Sequence, residues 1–152
     1  MNMLREIQCA TYLNDNHLGG YFSDAEIWEM ATYNGALLLG YGDILGAIEP
    51  NFAADISIFR GGTETPHRDV LDAKVEDVLL VLRGGTPLYG RDAIVSSLPG
   101  DQSSGCEVMD VCGQSQKVCI QRETGETLAS LTAGVSGGTF ETYPLYLSLI
   151  HI

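Results

Sequence analysis

The stretch Ala31-Thr32-Tyr33-Asn34-Gly35-Ala36, followed by Leu39-Gly40 and then by Gly46-Ala47-Ile48-Glu49-Pro50-Asn51-Phe52-Ala53-Ala54-Asp55-Ile56, carries most of the fold information in this chain. It reads as a helix end, a turn and a short strand in quick succession. Just upstream, Ser23-Asp24-Ala25-Glu26 spells a capping box, in which the Ser23 hydroxyl and the Glu26 carboxylate each satisfy an orphan backbone N–H, with Phe22 and Ile27 at the two staple positions. From that start Ile27, Met30, Ala31, Asn34 and Leu38 share one helical face, and Gly40 or Gly42 is placed to take the left-handed conformation that ends a helix. Downstream, Asn51 lies between Pro50 and the strand, where asparagine is the residue that best tolerates positive φ after glycine. Ile56 and Ile58 then alternate with Asp55 and Ser57, the period-two pattern of a half-buried strand.

Nearer the N-terminus, Leu4, Ile7, Ala10 and Leu13 recur at three-residue steps and predict a helix over about residues 4–14, with a narrow apolar stripe lying against something larger. Past Ile58, a loop rich in Gly, Thr and Pro runs over 61–66, and Val70, Leu71 and Ala73 mark a short helical turn. The unbroken apolar run Val78-Leu79-Leu80-Val81-Leu82 predicts a strand buried on both faces. Gly84-Gly85 then forms a tight hairpin with Thr86-Pro87-Leu88-Tyr89, Pro87 being confined to an edge. After Leu98-Pro99-Gly100 the composition shifts to Asp, Gln, Ser, Gly and Cys, and a boundary is placed there. Residues 117–121 and 127–133, flanking Glu123-Thr124-Gly125-Glu126, read as a second hairpin. The apolar tail Leu147-Ser148-Leu149-Ile150-His151-Ile152 reads equally as a final strand or as read-through sequence, and no function is drawn from it.

At 152 residues the chain fits one ordinary domain, whereas an eight-stranded α/β barrel needs about 250. An apolar share of 45% with no run near the 18 or so residues of a membrane span predicts a soluble chain without a transmembrane segment. A net charge of -12 repels phosphate backbones, which excludes nucleic acid as a partner. Met1-Asn2-Met3-Leu4-Arg5-Glu6 shows no basic segment followed by an apolar core, so no signal peptide is visible.

A hydrolytic metal centre wants three or more converging His, Asp, Glu or Cys ligands, whereas His17, His67 and His151 are far apart and read as solvated loop or tail residues. Cys106, Cys112 and Cys119 lack the Cys-x2-Cys knuckle of structural zinc sites; disulfide bonding is the preferred reading, ahead of reduced buried thiols and of metal. A disulfide places the parent protein outside the reducing cytoplasm, periplasmic or extracellular, and leaves an odd cysteine to pair with Cys9 or with one beyond this sequence. Gly134-Val135-Ser136-Gly137-Gly138 matches the nucleophile elbow, but the elbow needs a strand before it, a helix after it, and a later acid and histidine. Only Glu141 and His151 follow, so a glycine turn is the better reading. His67-Arg68-Asp69 resembles a kinase catalytic loop by chance, since Lys74 stands where asparagine is required, and Gly40-Tyr41-Gly42 with Gly46 follows a helix and is no dinucleotide fingerprint. Asp55 reads as a carboxylate capping backbone N–H groups at the strand entrance. No catalytic, cofactor-binding or metal-ligating residue is assigned.

The opening blocks, Ala31-Thr32-x-Asn34-Gly35-Ala36-x-x-Leu39-Gly40, then Gly46-x-Ile48-Glu49-Pro50 and Ala54-Asp55-Ile56, resemble the closing segment of a metal-dependent amidohydrolase, where the pattern is roughly AT-x-NGA-x-x-LG and IG-x-LEPG-x-x-ADL. A weaker likeness runs from Met3-Leu4-Arg5-Glu6 through Asp77-Val78 and Arg83-Gly84-Gly85 to Leu88-Tyr89-Gly90, about the first 90 residues. Asn51 replaces the family's usual glycine. The resemblance implies an α+β fragment: residues 1–42 as the last two helices of a TIM-type barrel, 43–98 as strands of the composite β-sandwich beside it, and 99–152 as a Cys-containing β-hairpin extension that includes Asp110-Val111-Cys112-Gly113. It implies a parent hydrolase of C–N bonds other than peptide bonds, acting on a cyclic amide, amidine or related small molecule. The parent's divalent metal, zinc foremost, would activate water.

In that family the metal-binding aspartate would precede Met1, and the histidine ligands and any carbamylated lysine lie earlier still, so no ligand position falls on this sequence. The chain would be inactive scaffold whose partner is the missing N-terminal barrel of the same protein, with Leu4, Ile7 and Leu13 packed on the barrel and Ile56, Ile58 and Val78 to Leu82 filling the sandwich. The other expectation is an acidic, disulfide-bearing, β-rich binding module without catalysis.

Overall fold

The computed structural model describes residues 3–62 and 65–136, and it begins with three helices. Helix α1 (Met3–His17) buries Leu4, Ile7, Thr11 and Asn14, while Leu13 is 48% exposed. The expected stripe holds through Ala10, which packs against the same cluster as Leu4 and Ile7, and fails at Leu13 for a geometric reason: a three-residue step falls short of a full turn by about 60°, so Leu13 has rotated about 180° from Leu4. Polar residues complete the buried face. The Thr11 hydroxyl donates to the Ile7 carbonyl at 2.7 Å. Asn14 donates to the Phe22 carbonyl at 2.9 Å and accepts the Phe22 N–H at 2.8 Å, pinning the turn between α1 and α2 as a strand partner would.

Helix α2 (Asp24–Met30) starts on the capping box that the sequence spells. The Glu26 N–H donates to Ser23 Oγ at 3.3 Å, while the Ser23 N–H at 2.8 Å and the Ser23 hydroxyl at 2.7 Å donate to Glu26 Oε2 and hold its carboxyl below its ordinary range. Ile27 is buried and Phe22 packs beside it. The single helix expected through Leu38 is instead broken: the Thr32 hydroxyl takes the Trp28 carbonyl at 3.0 Å, and the chain restarts as α3 (Tyr33–Leu38). Met30 and Leu38 consequently face outward. Helix α3 ends at Gly40, φ +78°, where the Tyr41 N–H reaches back to the Ala36 carbonyl and the Gly40 N–H to that of Leu37, a Schellman closure.

The remainder is an α+β arrangement around one five-stranded, wholly antiparallel sheet in the order β1-β2-β3-β5-β4. Strand β1 (Ile56–Phe59) is followed by α4 (Pro66–Leu71) and a single 3-10 turn (Val75–Asp77). Strand β2 (Val78–Arg83) is buried on both faces as its apolar run predicts: Val78 and Val81 join Tyr89, Val111, Val118 and Ile120 on one side, and Leu80 joins Val95 and Cys119 on the other. Gly84 and Gly85 both have positive φ and close the two-residue turn into β3 (Thr86–Arg91). Strand β3 is interior rather than an edge. Pro87 is tolerated because pairing with β5 begins only at Tyr89, so its missing N–H removes no rung there. In β1 the register slips between Ile58 and Phe59, which turns Phe59 to the core and leaves Ile58 exposed, against the simple alternation.

Helix α5 (Asp92–Ser97) precedes β4 (Glu107–Val111) and β5 (Gln114–Val118), the actual second hairpin, which turns at Cys112-Gly113. Of the hairpin expected over 117–133, only Lys117 and Val118 are extended, as the end of β5; beyond them lie two helices, α6 (Ile120–Thr124), ended by Gly125 at φ +76°, and α7 (Leu128–Ser136). Leu128 and Leu131 share one helical face and pack on the sheet, and the Thr127 hydroxyl accepts the Ser130 N–H at 3.1 Å, an N-terminal cap that a strand reading overlooks. Because β5 pairs with β3, the sheet runs without interruption across position 98. Among the described residues no helix is long and apolar enough to cross a membrane.

Candidate functional site

The conspicuous sequence blocks meet in one frame. The loop after α3 presses on the helix start so closely that a Cβ on Gly46, φ +91°, would lie 2.8 Å from Tyr33 Cα, 2.9 Å from Ala36 Cβ and 3.1 Å from the Thr32 carbonyl oxygen. The turn over 49–52 is closed by the Phe52 N–H on the Glu49 carbonyl at 3.1 Å, with Pro50 followed by Asn51 at φ +75° as the sequence requires. The chain then reaches Ala54 and Asp55, which receive the β2–β3 turn: Gly84 donates to Asp55 Oδ1 at 2.7 Å and Gly85 to the Ala54 carbonyl at 2.9 Å. Asp55 is thus a backbone-capping carboxylate, and its partner is the hairpin brought alongside by β1–β2 pairing.

The family model described as the amidohydrolase family matches residues 1–89, 89 of the 152 in the chain. The chain belongs to the amidohydrolase family. No curated protein and no solved structure matches it.

In this family member the matched region contains the whole frame, from α1 to Tyr89, and the frame is made of glycines, backbone groups and one carboxylate already occupied by an N–H. It holds segments in place and presents no nucleophile. The histidines are not brought together: His17 is the last residue of α1, edge-on to Tyr12 at 6.0 Å, and His67 lies in α4 against Trp28 at 5.2 Å, so neither sits in the loop expected for it. His151 and Glu141 lie outside the described residues. Among the described residues no three His, Cys, Asp or Glu side chains converge on a point where a metal would sit. Ser136 ends helix α7, so what precedes it is a helix and not the strand that a nucleophile elbow needs, and Gly134 is helical rather than part of a turn.

Cys106 and Cys119 form a disulfide, whereas Cys9 and Cys112 are free and exposed. The odd cysteine does not pair with Cys9, because Cys112 occupies the β4–β5 turn and Cys9 the outer side of α1.

Three polar clusters escape sequence reasoning because their members come from distant segments. Arg68 bonds both oxygens of Asp24, Nε at 2.9 Å, and reaches Asp15 at 3.2 Å, tying α4 to α2 and α1. Asp24 first, then Asp15, holds the Arg68 pKa above its usual value. Across the sheet, Lys117 Nζ lies 2.8 Å from Ser96 Oγ and 3.4 Å from Asp92, whose carboxyl is held low chiefly by the Ser96 hydroxyl with Lys117 and Ser115 adding. Lys117, Asp92, Ser96 and Ser115 thus form one polar network that ties α5 to β5. Third, Tyr89 and Gln116 are 1% and 0% exposed, yet the Tyr89 hydroxyl, both Gln116 amide atoms and Arg91 Nε have no hydrogen-bond partner. Burial pushes the Tyr89 phenol up to about 12.

Proposed function

We propose that this amidohydrolase chain is the C-terminal scaffold portion of a metal-dependent enzyme that hydrolyses C–N bonds other than peptide bonds in small molecules, and that it carries no turnover alone. The observation that supports this most is the apolar surface of the N-terminal third: Leu38 is 89% exposed, Ile48 86%, Tyr21 77% and Leu39 75%, in a chain otherwise strongly acidic. Large apolar side chains left this exposed within one third of a chain are the material of an interface. In this reading the N-terminal barrel of the same protein covers them. Residues 1–42 are its last helices, 43–98 contribute to a composite β-sandwich, and 99–152 are an extension built on the β4–β5 hairpin.

A divalent metal, zinc foremost, belongs to the family's chemistry, but the donors among the described residues do not fit one, since His17 and His67 lie separately against aromatic rings and no group of three His, Cys, Asp or Glu side chains gathers there. The ligands are therefore assigned to the remainder of the parent, and this chain's residues orient and support rather than react.

The test is expression with the upstream genomic sequence. Metal content by plasma mass spectrometry and hydrolysis of a panel of cyclic amides and amidines are expected in the longer form and absent in the present one. Sharp monomeric two-state melting of the 152-residue chain, together with a metal-free and inactive longer product, would establish the acidic binding module instead.

A further inference from the structure

The Cys106–Cys119 bond has two unlike ends. Cys106 precedes β4 and Cys119 follows β5, one position beyond the Glu107–Val118 pair, so the disulfide closes the open end of the hairpin. Cys119 is 1% exposed, packed with Leu80 and Val95, and its N–H donates to the Leu88 carbonyl at 2.8 Å. Cys106 lies half-buried at the rim of that cluster. Its Sγ is 3.7 Å from Arg122 Nη2. The same nitrogen bonds the Gln102 carbonyl and, at 3.0 Å, that of Ser104, so the guanidinium is anchored beside one sulfur and not the other. The neighbouring carboxylate, Glu107, is engaged with the Leu128 N–H at 2.6 Å. A fixed guanidinium favours the thiolate at the sulfur it touches, while apolar surroundings favour the neutral thiol.

We propose that Cys106 and Cys119 are a reversible thiol–disulfide pair in which Cys106 is the exchanging sulfur, Cys119 the resolving one, and Arg122 the positioning residue that holds the Cys106 thiolate. In the forming direction the Cys106 thiolate attacks one sulfur of a small disulfide, whose S–S bond breaks and releases one thiolate. The Cys119 thiol then loses its proton to solvent and attacks Cys106 Sγ, expelling the second thiolate. Two electrons pass from the cysteine pair to the small disulfide, which leaves as two thiols. A dithiol drives the reverse by attack on Cys106, the accessible end. The pair thus reports the redox poise of its compartment in whether the hairpin is covalently closed.

The 152-residue chain is equilibrated in mixtures of glutathione and its disulfide, acid-quenched and mapped by peptide mass spectrometry; the reduced chain is then pulse-labelled with iodoacetamide from about pH 5 to pH 9. A glutathione adduct on Cys106 is expected, with Cys106 labelled at least about tenfold faster than Cys119 near neutral pH. Arg122→Met slows Cys106 labelling about tenfold on the acid side of the profile, and Arg122→Lys restores most of it. Circular dichroism confirms that each variant is folded; should Arg122→Met not fold, the labelling order in the native chain and in Arg122→Lys still decides. Adducts on Cys119, equal labelling rates, or a bond that opens only in denaturant would overturn the proposal.

Discussion

Asp55 and Gly84, 29 residues apart in sequence, are joined by a 2.7 Å hydrogen bond from the glycine N–H to Asp55 Oδ1. With Gly85 on the Ala54 carbonyl, it makes the Ala-Asp pair and the Gly-Gly turn two halves of one device. A two-residue turn with positive φ at both positions points backbone N–H groups outward, and the strand entering beside it supplies acceptors for them. Both pairs of residues are visible in the sequence, but their union depends on β1–β2 pairing.

Asp55→Ala should therefore lower the unfolding free energy by about 1 kcal/mol, the ordinary worth of a solvent-accessible hydrogen bond to a carboxylate. Asp55→Asn, which keeps an acceptor oxygen, should lose less than half of that. Urea titration of the two variants decides the matter. Equal losses would show that charge, rather than an acceptor at this place, holds the turn.

Gly46 and Gly40 separate two reasons for a glycine. Both have positive φ, but a Cβ at Gly46 would strike Tyr33, Ala36 and Thr32, whereas one at Gly40 would meet nothing within 4 Å. Gly40→Ala is expected to cost about 1 kcal/mol, the left-handed backbone term alone. Gly46→Ala should cost more than about 2 kcal/mol, because backbone and α3 must also move. Thermal melting that ranks the two the other way would mean that the loop does not press on α3.

Much of this fold was legible because its signals are local. The Ser23–Glu26 capping box, the positive φ of Asn51 and the doubly buried β2 each follow from a few adjacent residues. The failures share a different cause. Leu13 follows a three-residue count that a 3.6-residue helix does not keep, Thr32 breaks a helix by a side-chain bond that no periodicity shows, and the chain beyond β5 forms helices because Leu128 and Leu131 pack on a distant sheet. Of the candidate site, the Asp55 cap was readable in kind though not in partner. The Arg68 tie and the Asp92–Lys117 network were not readable, since their members come together only through folding.

Tyr89 makes alkaline stability a specific readout. Its phenol is pushed from 10.0 up to about 12 by burial first and by the nearby Cys112 second. A raised folded pKa means that the neutral form is the one the core accommodates, so its contribution is complete below the unfolded value of 10.0 and falls away as pH rises from there to about 12. Stability should drop by up to about 1.4 kcal/mol per pH unit across that window. Tyr89→Phe should remove this part of the slope, and it should cost little at neutral pH because the hydroxyl has no partner. Phenolate absorbance followed with denaturant melts at pH about 9 to 12 checks both statements. An unchanged slope in Tyr89→Phe would place the titration elsewhere.

The apolar N-terminal face makes opposite demands on the chain alone and on the chain in its parent. Leu38, at the end of α3, and Ile48, in the following loop, are 89% and 86% exposed, so replacing either by glutamine removes almost no burial from the present structure. Glutamine also avoids placing a negative charge at a helix C-terminus. In the 152-residue chain, Leu38→Gln and Ile48→Gln should change the unfolding free energy by less than about 0.5 kcal/mol and reduce self-association and dye binding. Ile27→Gln, at 1% exposure, should unfold it. In the form carrying the upstream sequence, the same surface substitutions should each cost about 1–3 kcal/mol, since there the side chains are covered. Light scattering and denaturant melts of both forms make the comparison, and surface variants that remain neutral in the longer form would remove the main support for a barrel seated on this face.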